Sequence, residues 1–166
     1  MRREVSDSII RGLKEAEIDF VSYLPETWMH DVYEGVVNDD DFEVVLGTNE
    51  GECVSICAGA WLGGRRAAAI FENSGLRVAA EPLARLGMGH GIPVLMIMPF
   101  RGQLGDHDWW AQPHGVTLLP LLDALHIPYQ VVDEVDDIVS TIGKAWITCH
   151  ASKYPVAVII GERLCQ

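Results

Sequence analysis

The sequence predicts a doubly wound α/β domain, a six-stranded parallel sheet with helices on both faces. Two observations carry this. Short apolar runs alternate with helical-period segments from one end of the chain to the other, the pattern of successive strand–helix–strand units. The strand candidates are also apolar throughout, without in–out alternation, as expected when helices cover both faces of a sheet. The chain has 166 residues and no linker, repeat or low-complexity stretch, so residues 1–166 are expected to form one domain.

Each element has a local reason. Residues 5–16 place Ile9, Ile10, Leu13 and Ala16 at helical spacing. Residues 20–24 are the first strand. Pro25 suits a helix start, where its missing donor costs nothing, and Glu26 complements the positive end of that helix. The helix is expected to run to about Val37 and to stop in the acidic turn 38–41. Residues 42–46 form the second strand, and 50–62 a helix closed by Gly63 and Gly64. Residues 67–71 are the third strand, 76–88 a helix ending in glycines, and 93–98 the fourth strand. The loop 99–113 is long for a plain connector, which favours a functional or interface role. A helix over 114–125, a strand over 128–132, a helix over 135–150 and a strand over 156–160 complete the chain.

Composition narrows the function. Acidic side chains number 24 against 12 basic, for a net charge of −12, so nonspecific nucleic-acid and anionic-membrane binding are not expected. The most apolar stretch, residues 92–100, falls far short of a membrane-spanning helix, and the N-terminal residues do not read as a secretion signal. Cys53, Cys57, Cys149 and Cys165 form no CxxC and no metal-ligand set, which fits reduced thiols in a cytoplasmic protein.

In this fold class ligands bind beyond the carboxyl ends of the strands. Four loops therefore matter: 25–28, 47–51, 72–76 and 99–114. None carries a dinucleotide, Walker or nucleophile-elbow motif, and Gly87, Gly89 and Gly91 precede a strand instead of following one. The segment Thr48-Asn49-Glu50-Gly51-Glu52 opens the third helix. Asn49 is a good N-cap, and Glu52 is placed to bond back to the Asn49 amide in a capping box. Glu50 has a weaker structural explanation. At helical spacing it shares a stripe with Cys53, Val54, Cys57 and Trp61. A carboxyl there feels two opposed effects: removal from water favours its proton, and the helix dipole favours its charge. The alternative is a solvated first-turn acid.

The string Asn49-Glu50-Gly51, then Asn73-Ser74-Gly75-Leu76, then Arg101, Gly102, Gly105 and Asp108 in an RGxxGxxD pattern, resembles the pyrimidine-binding domain of thiamine-diphosphate enzymes. The resemblance covers nearly the whole chain and is closest to sulfopyruvate and phosphonopyruvate decarboxylases. It implies that Glu50 is the cofactor-activating acid, donating to the pyrimidine ring, with Pro25 and Asn73 also at the cofactor. It further implies that Asn73, Ser74, Arg101, His107 and His114 meet a small anionic 2-oxo acid, with one histidine supplying a proton. The family's diphosphate-binding domain carries a GDG motif and a downstream Asn, and no GDG occurs here. The resemblance therefore implies an α subunit whose β partner holds the diphosphate and Mg2+, with homo-contacts in addition. Two departures border the substrate region: Arg77-Val78 where relatives continue Gly-Asn, and Trp109-Trp110 in the long loop. The two tryptophans are expected as interface anchors or a lid. A non-catalytic assembly partner and a carboligase subunit are the alternatives.

Overall fold

The computed structural model describes residues 1–165. Six strands form one all-parallel sheet in the order β2-β1-β3-β4-β6-β5. They are β1 Phe20–Tyr23, β2 Glu43–Leu46, β3 Ala67–Ile70, β4 Leu95–Pro99, β5 Tyr129–Val132 and β6 Val156–Ile160. The helices are α1 Arg3–Glu15, α2 His30–Val37, α3 Glu50–Leu62, α4 Leu76–Pro82, α5 Gln112–Ala124, α6 Ile138–Ser152 and the short α7 Glu162–Cys165. The doubly wound architecture is the one the alternation predicts.

Two apolar layers sandwich the sheet. On one face α1, α2 and α6 contribute Ile9, Leu13, Val36, Ile142 and Trp146. On the other, α3, α4 and α5 contribute Val54, Cys57, Leu76, Ala79 and Leu122. β3, β4 and β6 are buried at every residue, which accounts for their unbroken apolar sequence. β2 departs from that expectation, because it is an edge strand whose residues are only partly covered.

Other differences are local and have physical causes. α2 begins at His30, not at Pro25, because the Glu26 carboxylate turns back to accept the N–H groups of Trp28 (2.7 Å) and Met29 (2.5 Å). It caps the helix from outside. The helix after β3 is interrupted: a 3-10 turn over Asn73–Gly75 leads into α4, and beyond Pro82 the chain widens into a π turn over Leu83–Gly89. Pro82 has no N–H to continue the ladder. Another 3-10 turn precedes α6, and α5 starts at Gln112, two residues before the expected position, with Pro113 in its first turn. All four cysteines are buried and free, as expected. No helix among the described residues is long and apolar enough to cross a membrane.

The topology fixes where a ligand can enter. β1 leaves through α2 on one face toward β2, while β3 leaves through α4 on the other face toward β4. The two exits diverge and leave a crevice at the carboxyl ends of these neighbouring strands. Its walls are the segments after β1 and β3, bordered by the loop after β4 and the head of α3.

Candidate active site

The head of α3 is built by its neighbours in sequence. Asn49, with extended backbone, accepts the Glu52 N–H at 2.9 Å through its side chain. The Glu52 carboxylate reaches back to the Thr48 N–H at 2.5 Å, one residue before the amide expected for a capping box. These two side chains secure the helix end and leave Glu50 uncommitted. Its side chain is half-buried and lies over Gly75, where a Cβ would come within 2.6 Å of its Oε1 and nearer still to Cγ and Cδ. Cys53, Val54 and Cys57 below it are buried. The glycine of the Asn73-Ser74-Gly75 turn is thus the floor on which the Glu50 carboxyl rests.

Asn73 is 2% exposed and joins two loops. Its Nδ2 donates to the Arg101 carbonyl at 3.0 Å, and its Oδ1 accepts the Arg101 N–H at 3.3 Å. Both ends of the amide are engaged, so Asn73 acts here as a clamp between β3 and β4. Ser74 is half-buried in the turn beside it, and Pro25 is exposed at the rim after β1.

Arg101 was expected at the anionic substrate, and the structure gives its side chain other partners. The guanidinium is buried, with Nε 3.0 Å from Asp106 Oδ2 and Nη2 2.6 Å from Asp108 Oδ2. It also lies between the rings of Trp28 and Trp110, 4.0 and 4.4 Å from their centroids. Burial raises the proton affinity of Asp106, but hydrogen bonds from Arg101 and from the Gly102 and Asp108 N–H groups outweigh it. They hold its pKa down at about 2. The RGxxGxxD pattern is therefore a folded unit. Gly102 has a φ of +81°, and a Cβ there would lie 2.6 Å from the Gly115 nitrogen, so this loop and α5 can meet only through glycine.

The two histidines are placed differently. His107 is exposed on the loop. His114, in the first turn of α5, is 13% exposed, and its Nδ1 lies 3.1 Å from Oε1 of Glu72. The Trp110 ring is tilted against it with centroids 5.6 Å apart. Trp109 stands 85% exposed beside it, a placement open to either an anchor or a lid. Arg77 runs from α4 to the start of α5, donating to the Pro113 carbonyl (3.1 Å) and to Thr117 Oγ1 (3.4 Å).

Sequence reasoning did not pick out three residues of this crevice. Glu26 has its carboxyl pushed up chiefly by burial, against two backbone donors, with the Glu72 charge adding to the rise. Glu72 follows β3 immediately and contacts His114. The Tyr33 hydroxyl is buried without a hydrogen-bond partner, and burial and the charges of Glu26 and Glu72 push its proton affinity up. Strand-end placement alone could have flagged Glu72, while Glu26 reads in sequence as an ordinary helix-start acid.

Comparison with known proteins bears on this arrangement. No family model matches the chain. It is 29% identical over 155 residues to the sulfopyruvate decarboxylase subunit alpha of Methanococcus maripaludis, covering 93% of each chain. The chain is a homologue of that decarboxylase subunit. This homologue is also 31% identical over 146 residues to the phosphonopyruvate decarboxylase of Streptomyces viridochromogenes, spanning 36% of that longer protein. A solved structure, the 2-oxoglutarate:ferredoxin oxidoreductase from Magnetococcus marinus with 2-oxoglutarate, coenzyme A and succinyl-CoA bound, contains the same fold. It matches 97% of the chain and 29% of its own length, with a TM-score of 0.75 at 20% identity.

Proposed function

We propose that residues 1–166 are the pyrimidine-side α subunit of a thiamine-diphosphate-dependent 2-oxo-acid decarboxylase, acting on sulfopyruvate, phosphonopyruvate or a similar anionic pyruvate. The observation that carries the reading is the Glu50 carboxyl. It is free of capping duty, half-buried and seated on Gly75 at the ligand-binding end of the sheet, in a homologue of decarboxylase chains.

The residues present fit one end of the cofactor. Glu50 would meet the aminopyrimidine, and the exposed Pro25 rim would border it. The diphosphate end finds no counterpart: the one buried guanidinium beside the crevice among the described residues is already matched by Asp106 and Asp108, and the crevice carries the acids Glu26 and Glu72. The diphosphate and its Mg2+ therefore belong, in this reading, to a β partner, and homo-contacts complete the assembly. When bound, thiamine diphosphate supplies the electron sink that lets a 2-oxo acid lose carbon dioxide. The chain's own tasks are to hold a proton at Glu50, to keep the crevice shaped through the Asn73 and Arg101 clamps, and to return a proton to the substrate carbon. Arg101 shapes the loop in this scheme, and Arg77, which stands where the resembling decarboxylases carry glycine, takes over contact with the anion alongside Ser74.

The test is reconstitution. The chain, co-purified with a partner carrying the GDG motif and downstream Asn, is screened against 2-oxo acids with thiamine diphosphate and Mg2+. Aldehyde and carbon dioxide are expected from the complex and not from either chain alone. Full activity of the isolated chain would overturn the two-subunit reading, and acyloin as the main product would make it a carboligase.

A further inference from the structure

We propose that Glu72 is the positioning residue of this site, holding His114 by Nδ1 so that its Nε2 delivers the proton that replaces the departing carboxylate. The inference rests on the decarboxylase reading and deepens it. Decarboxylation breaks the bond between the carbonyl carbon and the carboxylate. Carbon dioxide leaves, and the electron pair left on the carbon takes up one proton to give the aldehyde, with no net redox change. The proton must come from a group at the crevice that water can recharge.

His114 meets these needs through its placement. It heads α5 at the mouth of the crevice and retains 13% exposure, enough for exchange with solvent. Its Nδ1 is buried 3.1 Å from the Glu72 carboxylate, close enough to pair but without the alignment of a finished hydrogen bond. Catalytic hydrogen bonds are often loose before substrate arrives. With Nδ1 turned to Glu72, Nε2 is the nitrogen left for the substrate.

The surroundings explain why an acid is needed beside it. Burial works against the imidazolium, and so do the charges of Arg77 on α4 and Arg101 on the loop after β4. Glu72 from the end of β3 and Asp106 from that loop favour it, with an overall fall in proton affinity. Asp106 is committed to Arg101, so Glu72 is the carboxylate that contacts the ring. Glu26 and Tyr33 face Glu72 from the other wall. His107, the other candidate donor, is exposed on the loop.

The experiment has two independent arms. The first follows His114 in the 15N-labelled chain through a pH titration. Glu72→Gln is expected to lower the His114 pKa by about one unit, the usual size for loss of one close opposite charge, whereas Glu72→Asp keeps most of it. The second records kcat against pH for the reconstituted complex. Because the acid form is the donor, the alkaline limb should move down by the same amount in Glu72→Gln, with turnover about tenfold lower at alkaline pH and nearly unchanged on the acid side. Glu72→Asp should restore the limb, and His114→Ala should abolish it. A merely structural Glu72 would lower kcat equally at every pH, and that result overturns the proposal. So does an unchanged His114 titration in Glu72→Gln, even if the complex is an active decarboxylase. A complex inactive on every 2-oxo acid while the His114 titration shifts as expected overturns the decarboxylase reading instead, and the proton-donor role with it.

Discussion

Gly75→Ala separates fold from function at the Glu50 seat. The backbone at Gly75 is right-handed helical, with φ −68° and ψ −17°, so alanine fits its conformation and reduces the freedom of the unfolded chain. The backbone alone would make the change neutral or favourable, within about 1 kcal/mol. The added Cβ, however, would lie 2.6 Å from Glu50 Oε1 and closer to Cγ and Cδ, where ordinary contact needs about 3.5–4 Å. The Glu50 chain is flexible and can yield, but only by moving its carboxyl roughly 1 Å or more. Displacement on that scale costs a positioned catalytic group on the order of a hundredfold in rate. The assay pairs a urea melt of the chain with kcat/KM of the reconstituted complex. The expected outcome is an unchanged melt and about a hundredfold loss of turnover. Retained activity would show that the seat is incidental to catalysis. A collapsed fold would show that Gly75 is needed for packing and not for the carboxyl.

Other consequences concern the loop after β4 and the anion. Asp106→Asn leaves the buried Arg101 short of one partner and should destabilise the chain by about 3 kcal/mol in urea unfolding. The folded pKa of Asp106, about 2, lies below the ordinary 3.8, so its contribution is present above pH 4 and fades as pH falls toward 2. Unfolding curves of wild type and Asp106→Asn should therefore draw together over that window, and a constant gap would contradict the assignment. Arg77→Gln keeps a good helix former on α4 while removing the charge. It should raise KM for a sulfonated or phosphonated pyruvate about tenfold and leave KM for pyruvate unchanged, as steady-state kinetics on both substrates will show.

How much was legible in the sequence depended on how local each cause was. The sheet was readable because burial on both faces leaves no polar residue in β3, β4 or β6. β2, read as one more buried strand, lies at an edge, which only the strand order reveals. The head of α3 was readable because Asn49 and Glu52 act within four residues of one another. The start of α2 was not, because Glu26 serves as a cap by folding back, a choice set by the crevice around it. The partners of Arg101 were not legible for a related reason. A lone arginine past a strand suggests an anion site, yet Asp106 and Asp108 fold round it and use its charge internally. The place of Glu72 just after β3 was legible, but its pairing with His114 was not, because it exists only once the fold seats the start of α5 beside that strand end.

The central claim is that a proton held at Glu50 activates the cofactor. It is tested most directly by Glu50→Gln, which keeps the shape of the side chain and removes its acid. Measured in the reconstituted complex at saturating thiamine diphosphate, kcat should fall at least about a thousandfold, with the thermal melt of the chain unchanged. A rate close to wild type under those conditions would contradict the account.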